Sequence, residues 1–144
     1  MYKSIVVGTD GSRTALAAVQ HAVELAGLTG ATLHVVSARH PSYSLAGAAE
    51  LGPTGLDPIT AANEAATAAL DEALATAKAA GVAAERHDPS GPPADCLVQV
   101  ATTVSADVIV VGSRGMHGAR RVLGSTPNSV SHHAPCHVLL VNTA

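Results

Sequence analysis

Two stretches of this chain carry residues suited to holding an anion. Gly8-Thr9-Asp10-Gly11-Ser12 joins two glycines, two hydroxyls and a carboxylate. Gly112-Ser113-Arg114-Gly115-Met116-His117-Gly118 joins three glycines to an Arg and a His, and Gly124-Ser125-Thr126 follows closely. Glycine lets backbone N–H groups approach a ligand and form anion-binding nests. Gly124-Ser125-Thr126 lies where a helix is expected to begin, and free N–H groups and the dipole there favour phosphate. Within the same stretch His117 has the best claim to reach a phosphate. Together the parts describe a phosphate cradle facing a carboxylate, which suits a nucleotide. Any single Gly-x-x-Gly serves a tight turn equally well; the convergence of several features is what argues for a ligand.

The charge distribution agrees with that placement. Residues 1–107 hold all 11 carboxylates and 5 Lys/Arg, a net −6, whereas residues 108–144 hold Arg114, Arg120 and Arg121 with no acid, a net +3. The whole-chain net charge of −3 disfavours generic binding to duplex phosphate. Aromatic residues are 1% of the chain, with no Phe or Trp, so single-stranded nucleic acid lacks stacking platforms. No nucleic-acid partner is expected. No apolar run reaches membrane-spanning length and the first residues lead straight into a strand, so neither a membrane nor an export signal is expected. With only Cys96 and Cys136, far apart, a disulfide framework is not indicated and a reduced, cytoplasmic setting is the default.

The elements that must position these loops alternate regularly. Ser4–Gly8 is a buried strand, and Ser12 caps a helix whose Leu16, Val19, Val23 and Ala26 share one face, ending near Gly27 to Gly30. Thr32–Ser37 is a second strand. Ala38–Asp57 is a long irregular segment, longer than ordinary connections, and so a lid, a binding loop or a mobile segment. Asp57-Pro58 opens an Ala-rich helix running to Gly81. Val82–His87 is a third, more polar strand, expected near a sheet edge. Pro92-Pro93 opens a helix, Asp107–Val111 is the most apolar strand and should be central, Ser125–Ala134 is the final helix and Val138–Val141 the last strand.

This order predicts an α/β fold: a three-layer, doubly wound, five-stranded parallel sheet with helices on both faces, in one domain spanning residues 1–144. In such sheets ligands bind beyond the carboxyl ends of the strands where the order reverses, and both glycine loops follow strands there.

Other chemistries fit less well. There is no Gly-x-x-x-x-Gly-Lys-Ser/Thr and no Gly-x-Gly-x-x-Gly after the first strand. No Ser/His/Asp order or paired carboxylate supports hydrolysis, so no catalytic residue is assigned and weak hydrolysis of a bound nucleotide is the most that is expected. His132 and Cys136 have metal-ligand spacing, but Pro135 breaks the helix between them, and no metal ligand is assigned. His34, in mid-strand, is expected to be a satisfied core residue, and Cys96 a small buried hydrophobe.

Val7-Gly8-Thr9-Asp10-Gly11-Ser12, Leu33-His34-Val35-Val36, Val111-Gly112-Ser113-Arg114-Gly115 through Gly124-Ser125, and Ala134-Pro135-Cys136-His137-Val138-Leu139-Leu140-Val141 together resemble the universal stress protein family along the whole chain. The resemblance implies an adenine nucleotide alpha hydrolase-like sheet with strands one and four adjacent. It also implies the Gly-x2-Gly-x9-Gly-Ser/Thr motif of the ATP-binding branch. On that pattern Gly8, Thr9, Asp10 and the backbone of Val35 hold the adenine and its side of the ribose. Gly112 lies by the ribose, and Arg114, Gly115, Met116, His117, Gly118, Gly124, Ser125 and Thr126 line the phosphates. Only eight residues, Met116 to Leu123, separate Gly115 from Gly124, one fewer than the motif. The implied ligand is ATP, with or without a divalent cation; AMP, cyclic AMP or a ligand-free interaction module are the alternatives. The resemblance also implies a stress-response role and a homodimer formed through Val138–Val141.

Overall fold

The computed structural model describes residues 1–41, 57–113 and 124–143. Nine elements alternate along it: β1 (Ser4–Gly8), α1 (Arg13–Thr29), β2 (Thr32–Val36), α2 (Pro58–Ala79), β3 (Ala84–His87), α3 (Pro93–Thr103), β4 (Val108–Gly112), α4 (Ser125–His133) and β5 (His137–Val141). The strands form one parallel sheet in the order β3-β2-β1-β4-β5. β3 is therefore an edge strand, as its polar sequence predicts, and β1 and β4 are interior neighbours. The chain runs outward from β1 to β3, then crosses back to β4 on the other side of β1. That reversal is the switch point at which open sheets form clefts.

Strand alternation builds two cores from one sheet. Ile5 and Val7 of β1, Leu33 and Val35 of β2, and Val108 and Val110 of β4 pack with Val19, Val23 and Leu70 of α1 and α2. Val6, Val36, Ile109 and Val111 point the other way, against Leu97 and Val100 of α3 and Val130 of α4. Runs of β-branched residues suit this arrangement because both faces of an interior parallel strand are buried. Cys96 belongs to the second core, and burial, then Asp95, pushes its thiol pKa up. Cys136 is half-buried and is pushed up likewise by burial, then by Asp107. Neither is a ready thiolate.

Helix ends follow local chemistry. Ser12 Oγ accepts from the Ala15 N–H at 3.2 Å, and Gly30 closes α1 in the left-handed region at φ +73°. Asp57 accepts from the Thr60 N–H at 2.8 Å, with Pro58 in the first helical turn. Several elements differ from expectation by a residue or two. Val82 still donates to the Ala77 carbonyl in the exit turn of α2, so β3 starts later, at Ala84. Asp107 precedes β4, and its carboxylate accepts the N–H groups of Lys3 and Ser4 at 2.7 and 3.0 Å, tying the start of β1 to that turn. Those two backbone bonds hold its carboxyl below the ordinary carboxylate range. Among the described residues no helix is long and apolar enough to cross a membrane.

Candidate functional site

A cleft of about 610 Å³, open to solvent, lies at the carboxyl ends of β1, β2 and β4. Its size is that of an ordinary small-ligand site, roughly 300–1,000 Å³. Each wall has a different origin in the sequence. β1 ends in Gly8, and the turn after it supplies Thr9 and Asp10. Thr9 is anchored by its N–H donating to the Val36 carbonyl at 2.9 Å, and its Oγ1 accepts from the Gly11 N–H at 3.2 Å. Asp10 Oδ1 accepts from the Ser12 N–H at 2.9 Å, an Asx turn that leads into α1. Gly11 sits at φ +81°, a conformation that glycine adopts without strain.

The opposite wall is Gly112 at the end of β4 and Gly124, Ser125, Thr126 and Pro127 at the start of α4. Gly124 is the N-cap of α4 and provides no side-chain cap, which leaves the first N–H groups of that helix without the partner Ser12 gives α1. α3 likewise begins at Pro92 without a side-chain cap, and Pro93 also lines the cleft. The N-terminal ends of α1, α3 and α4 thus border one space, giving it a positive field suited to an anion. A Cβ placed on Gly112 would stand 3.3 Å from the Thr14 carbonyl oxygen and 3.2 Å from Thr143 Cγ2, so glycine permits this close packing.

The floor and remaining side come from the exit of β2 and from α2. Val36, Ser37, Ala38 and His40 line the cleft, as do Ala62, Ala65 and Ala66. The exit is held in place on two sides. The His40 N–H donates to Asn63 Oδ1 at 2.8 Å on α2, and Asn63 Nδ2 donates back to the His40 carbonyl at 3.2 Å. Arg39 pairs with Asp88 at 3.3 Å.

The structure therefore brings Gly8, Thr9, Asp10, Gly112, Gly124, Ser125 and Thr126 to a single cleft. Val35 does not line it; its side chain is fully buried on the α1 and α2 side, and Val36 lines the cleft instead. Arg114, Gly115, Met116, His117 and Gly118 lie outside the described residues, as does most of the segment Ala38–Asp57. The α2 alanines were not singled out from sequence, because nothing local distinguishes them from the rest of an Ala-rich helix. Ser12 belongs to the first glycine stretch already singled out, and Thr14 was findable, since the residues that open a helix after a strand routinely border such clefts.

The universal stress protein family model matches residues 1–142. A universal stress protein of Mycobacterium tuberculosis is 38% identical over 148 aligned residues, covering 99% of this chain and 97% of that protein. Among solved structures, a universal stress protein in complex with cAMP matches with a TM-score of 0.74 at 36% identity, covering 99% of each chain. The universal stress protein from Archaeoglobus fulgidus in complex with dAMP matches with a TM-score of 0.71 at 25% identity, covering 96% of this chain and 97% of that one.

Proposed function

The chain belongs to the universal stress protein family, and from that footing we propose that it is a regulatory protein that binds an adenine nucleotide in the cleft between β1 and β4. The observation that carries this reading is the meeting of the Asp10 loop with the uncapped start of α4 across one cleft. A nucleotide has one end rich in hydrogen-bond donors and one anionic end, and the two walls match that polarity. The Asp10 carboxylate accepts from ribose or base, and the phosphate lies against Gly124, Ser125 and Thr126, where N–H groups and hydroxyls donate. The base has no aromatic ring to stack on there, so it lies against aliphatic surface and is read by backbone groups; affinity is correspondingly modest.

ATP is the ligand favoured by the glycine motif, with Arg114, Gly115, Met116, His117 and Gly118 completing the phosphate wall, and a divalent cation is its natural companion. Cyclic AMP is the second reading. It is supported by the one-residue shortening between Gly115 and Gly124 and by the 36%-identical neighbour that holds cAMP. We assign no catalytic residue. On this reading the protein is cytoplasmic, a single domain and a homodimer joined along β5, the second edge strand, where Leu139 and Leu140 are each 41% exposed.

Isothermal titration with ATP, AMP and cyclic AMP tests the ligand. At least one should bind at one per chain, and Ala65→Glu should weaken it by about 10-fold or more, because the new carboxylate enters the cleft from the exposed side of α2. That exposed position should leave stability within about 0.5 kcal/mol of the parent. Absence of binding by all three nucleotides would remove the proposal.

A further inference from the structure

Outside the cleft, three metal-ligating side chains converge at the β2–β3 edge. In the sheet register His34 stands opposite Glu85, and His87 follows Glu85 by two positions, so all three project from the same face. The neighbouring β3 residues point the other way: Arg86 Nη1 donates to Asp71 Oδ1 of α2 at 3.0 Å, and Ala84 packs on the first core. His34 Nδ1 lies 3.0 Å from His87 Nε2 and 3.2 Å from Glu85 Oε2, and one ligand atom from each residue falls within 4.8 Å of the other two.

His34 Nδ1 stands within hydrogen-bond range of both neighbours. His34 Nδ1 carries at most one proton, yet two acceptors face it. If it donates to Glu85, its contact with His87 Nε2 has no proton along it unless His87 is the donor, and then two N–H groups confront each other. His34 is 6% exposed, so its side chain has little recourse to water. A cation at the convergence point accepts all three lone pairs at once. Ligands about 2.0–2.2 Å from a tetrahedral zinc ion stand roughly 3.3–3.6 Å apart. The two short separations here are already within a few tenths of an ångström of that.

We propose that His34, Glu85 and His87 form a binding site for a divalent transition ion of the zinc class, with two imidazole nitrogens and one carboxylate as ligands and a fourth position open to solvent. The two-nitrogen, one-oxygen set selects a borderline ion over calcium or magnesium, which take oxygen ligands. The ion clips the edge strand β3 to β2, whose exit residues Val36 to His40 border the cleft. The open position faces outward on the side of Glu85, whose side chain is 63% exposed.

The test is titration of the full chain with Zn²⁺ alone, read by calorimetry, with Co²⁺ as the optical probe. One equivalent should bind, Co²⁺ should give the intense visible bands of four-coordinate geometry, and saturating Zn²⁺ should raise the melting midpoint by about 5–10 °C at 100 times Kd. Glu85→Gln and His87→Ala should each weaken binding by at least about 10-fold. The double variant His132→Ala/His133→Ala should leave it unchanged. Long-range ¹H–¹⁵N spectra of the parent protein should report Zn²⁺ on His34 Nδ1 and His87 Nε2, which keeps the proposal testable if a variant unfolds. No stoichiometric binding, binding indifferent to Glu85→Gln and His87→Ala, or binding lost with His132 and His133 would overturn it and leave a hydrogen-bonded triad. Nucleotide titration of the same samples reports the cleft independently.

Discussion

Gly8 has a packing reason to be glycine that is separable from any ligand. A Cβ built there stands 3.1 and 3.2 Å from the two δ-carbons of Leu97, a side chain only 3% exposed in the second core. Gly8 is not among the positive-φ glycines, so its backbone accepts alanine. Taken alone, Gly8→Ala should stabilise by about 0.4–1 kcal/mol, because the unfolded chain loses freedom. Pressing the new methyl against Leu97 costs about 1–3 kcal/mol. The balance is a loss of roughly 1 kcal/mol, or about 3 °C in melting midpoint. Leu97→Ala should itself cost about 2–5 kcal/mol. With Leu97 shortened the obstruction is gone, and Gly8→Ala should then stabilise by its intrinsic 0.4–1 kcal/mol, roughly. Urea unfolding of the four proteins in the cycle measures this directly, and the coupling should be about 1–3 kcal/mol. If Gly8→Ala destabilises equally in both backgrounds, Leu97 is not what requires the glycine and the reasoning fails.

Three further outcomes are expected. Gly30→Ala should cost about 1–2 kcal/mol in thermal unfolding, because the residue sits at φ +73° with nothing within 4 Å of a new Cβ; Gly30→Asn should cost less. The homodimer proposed along β5 requires the parent chain to sediment as a dimer, and Leu139→Lys should then yield a folded monomer in sedimentation velocity, since a lysine on an exposed edge blocks pairing. His34 has a folded-state pKa below its ordinary 6.5, because burial and then His87 outweigh the opposing pull of Glu85, so the unfolded chain takes up protons first as the solution is acidified. Its contribution to stability should be complete above about pH 6.5 and decline as pH falls toward the folded-state value. His34→Val should flatten that part of a melting-temperature profile measured without metal.

The fold was legible because its signals are local. β-branched runs of the right length, Ser12 and Asp57 as caps, and Gly30 as a stop each act within a few residues, and their alternation fixes a parallel sheet. Element ends were less legible because they depend on competing partners: Val82 stays with the exit turn of α2, and Asp107 turns its carboxylate to the start of β1. At the cleft, the residues following β1 and β4 were visible as glycine loops. Val35, expected to act through its backbone, has its side chain buried beneath the sheet while the next residue, Val36, lines the cleft, because in a strand one position changes the face. Gly8 shows a different gap: a glycine in a suggestive loop looks like room for a ligand, yet Leu97 stands where its side chain would go. The His34–Glu85–His87 cluster was invisible to spacing, since His34 lies 51 and 53 residues from Glu85 and His87 and meets them only through the register of two strands.

An amide-resolved NMR titration of the full chain with ATP, AMP and cyclic AMP shows whether an adenine nucleotide occupies the cleft between β1 and β4. One of them should cause saturable shifts at Thr9, Asp10, Gly112, Ser125 and Thr126, the two walls of the cleft. Gly30 and Gly81, which precede β2 and β3 at the other end of the sheet, should stay unmoved. Shifts confined to that opposite end, or none with any of the three nucleotides, would contradict it.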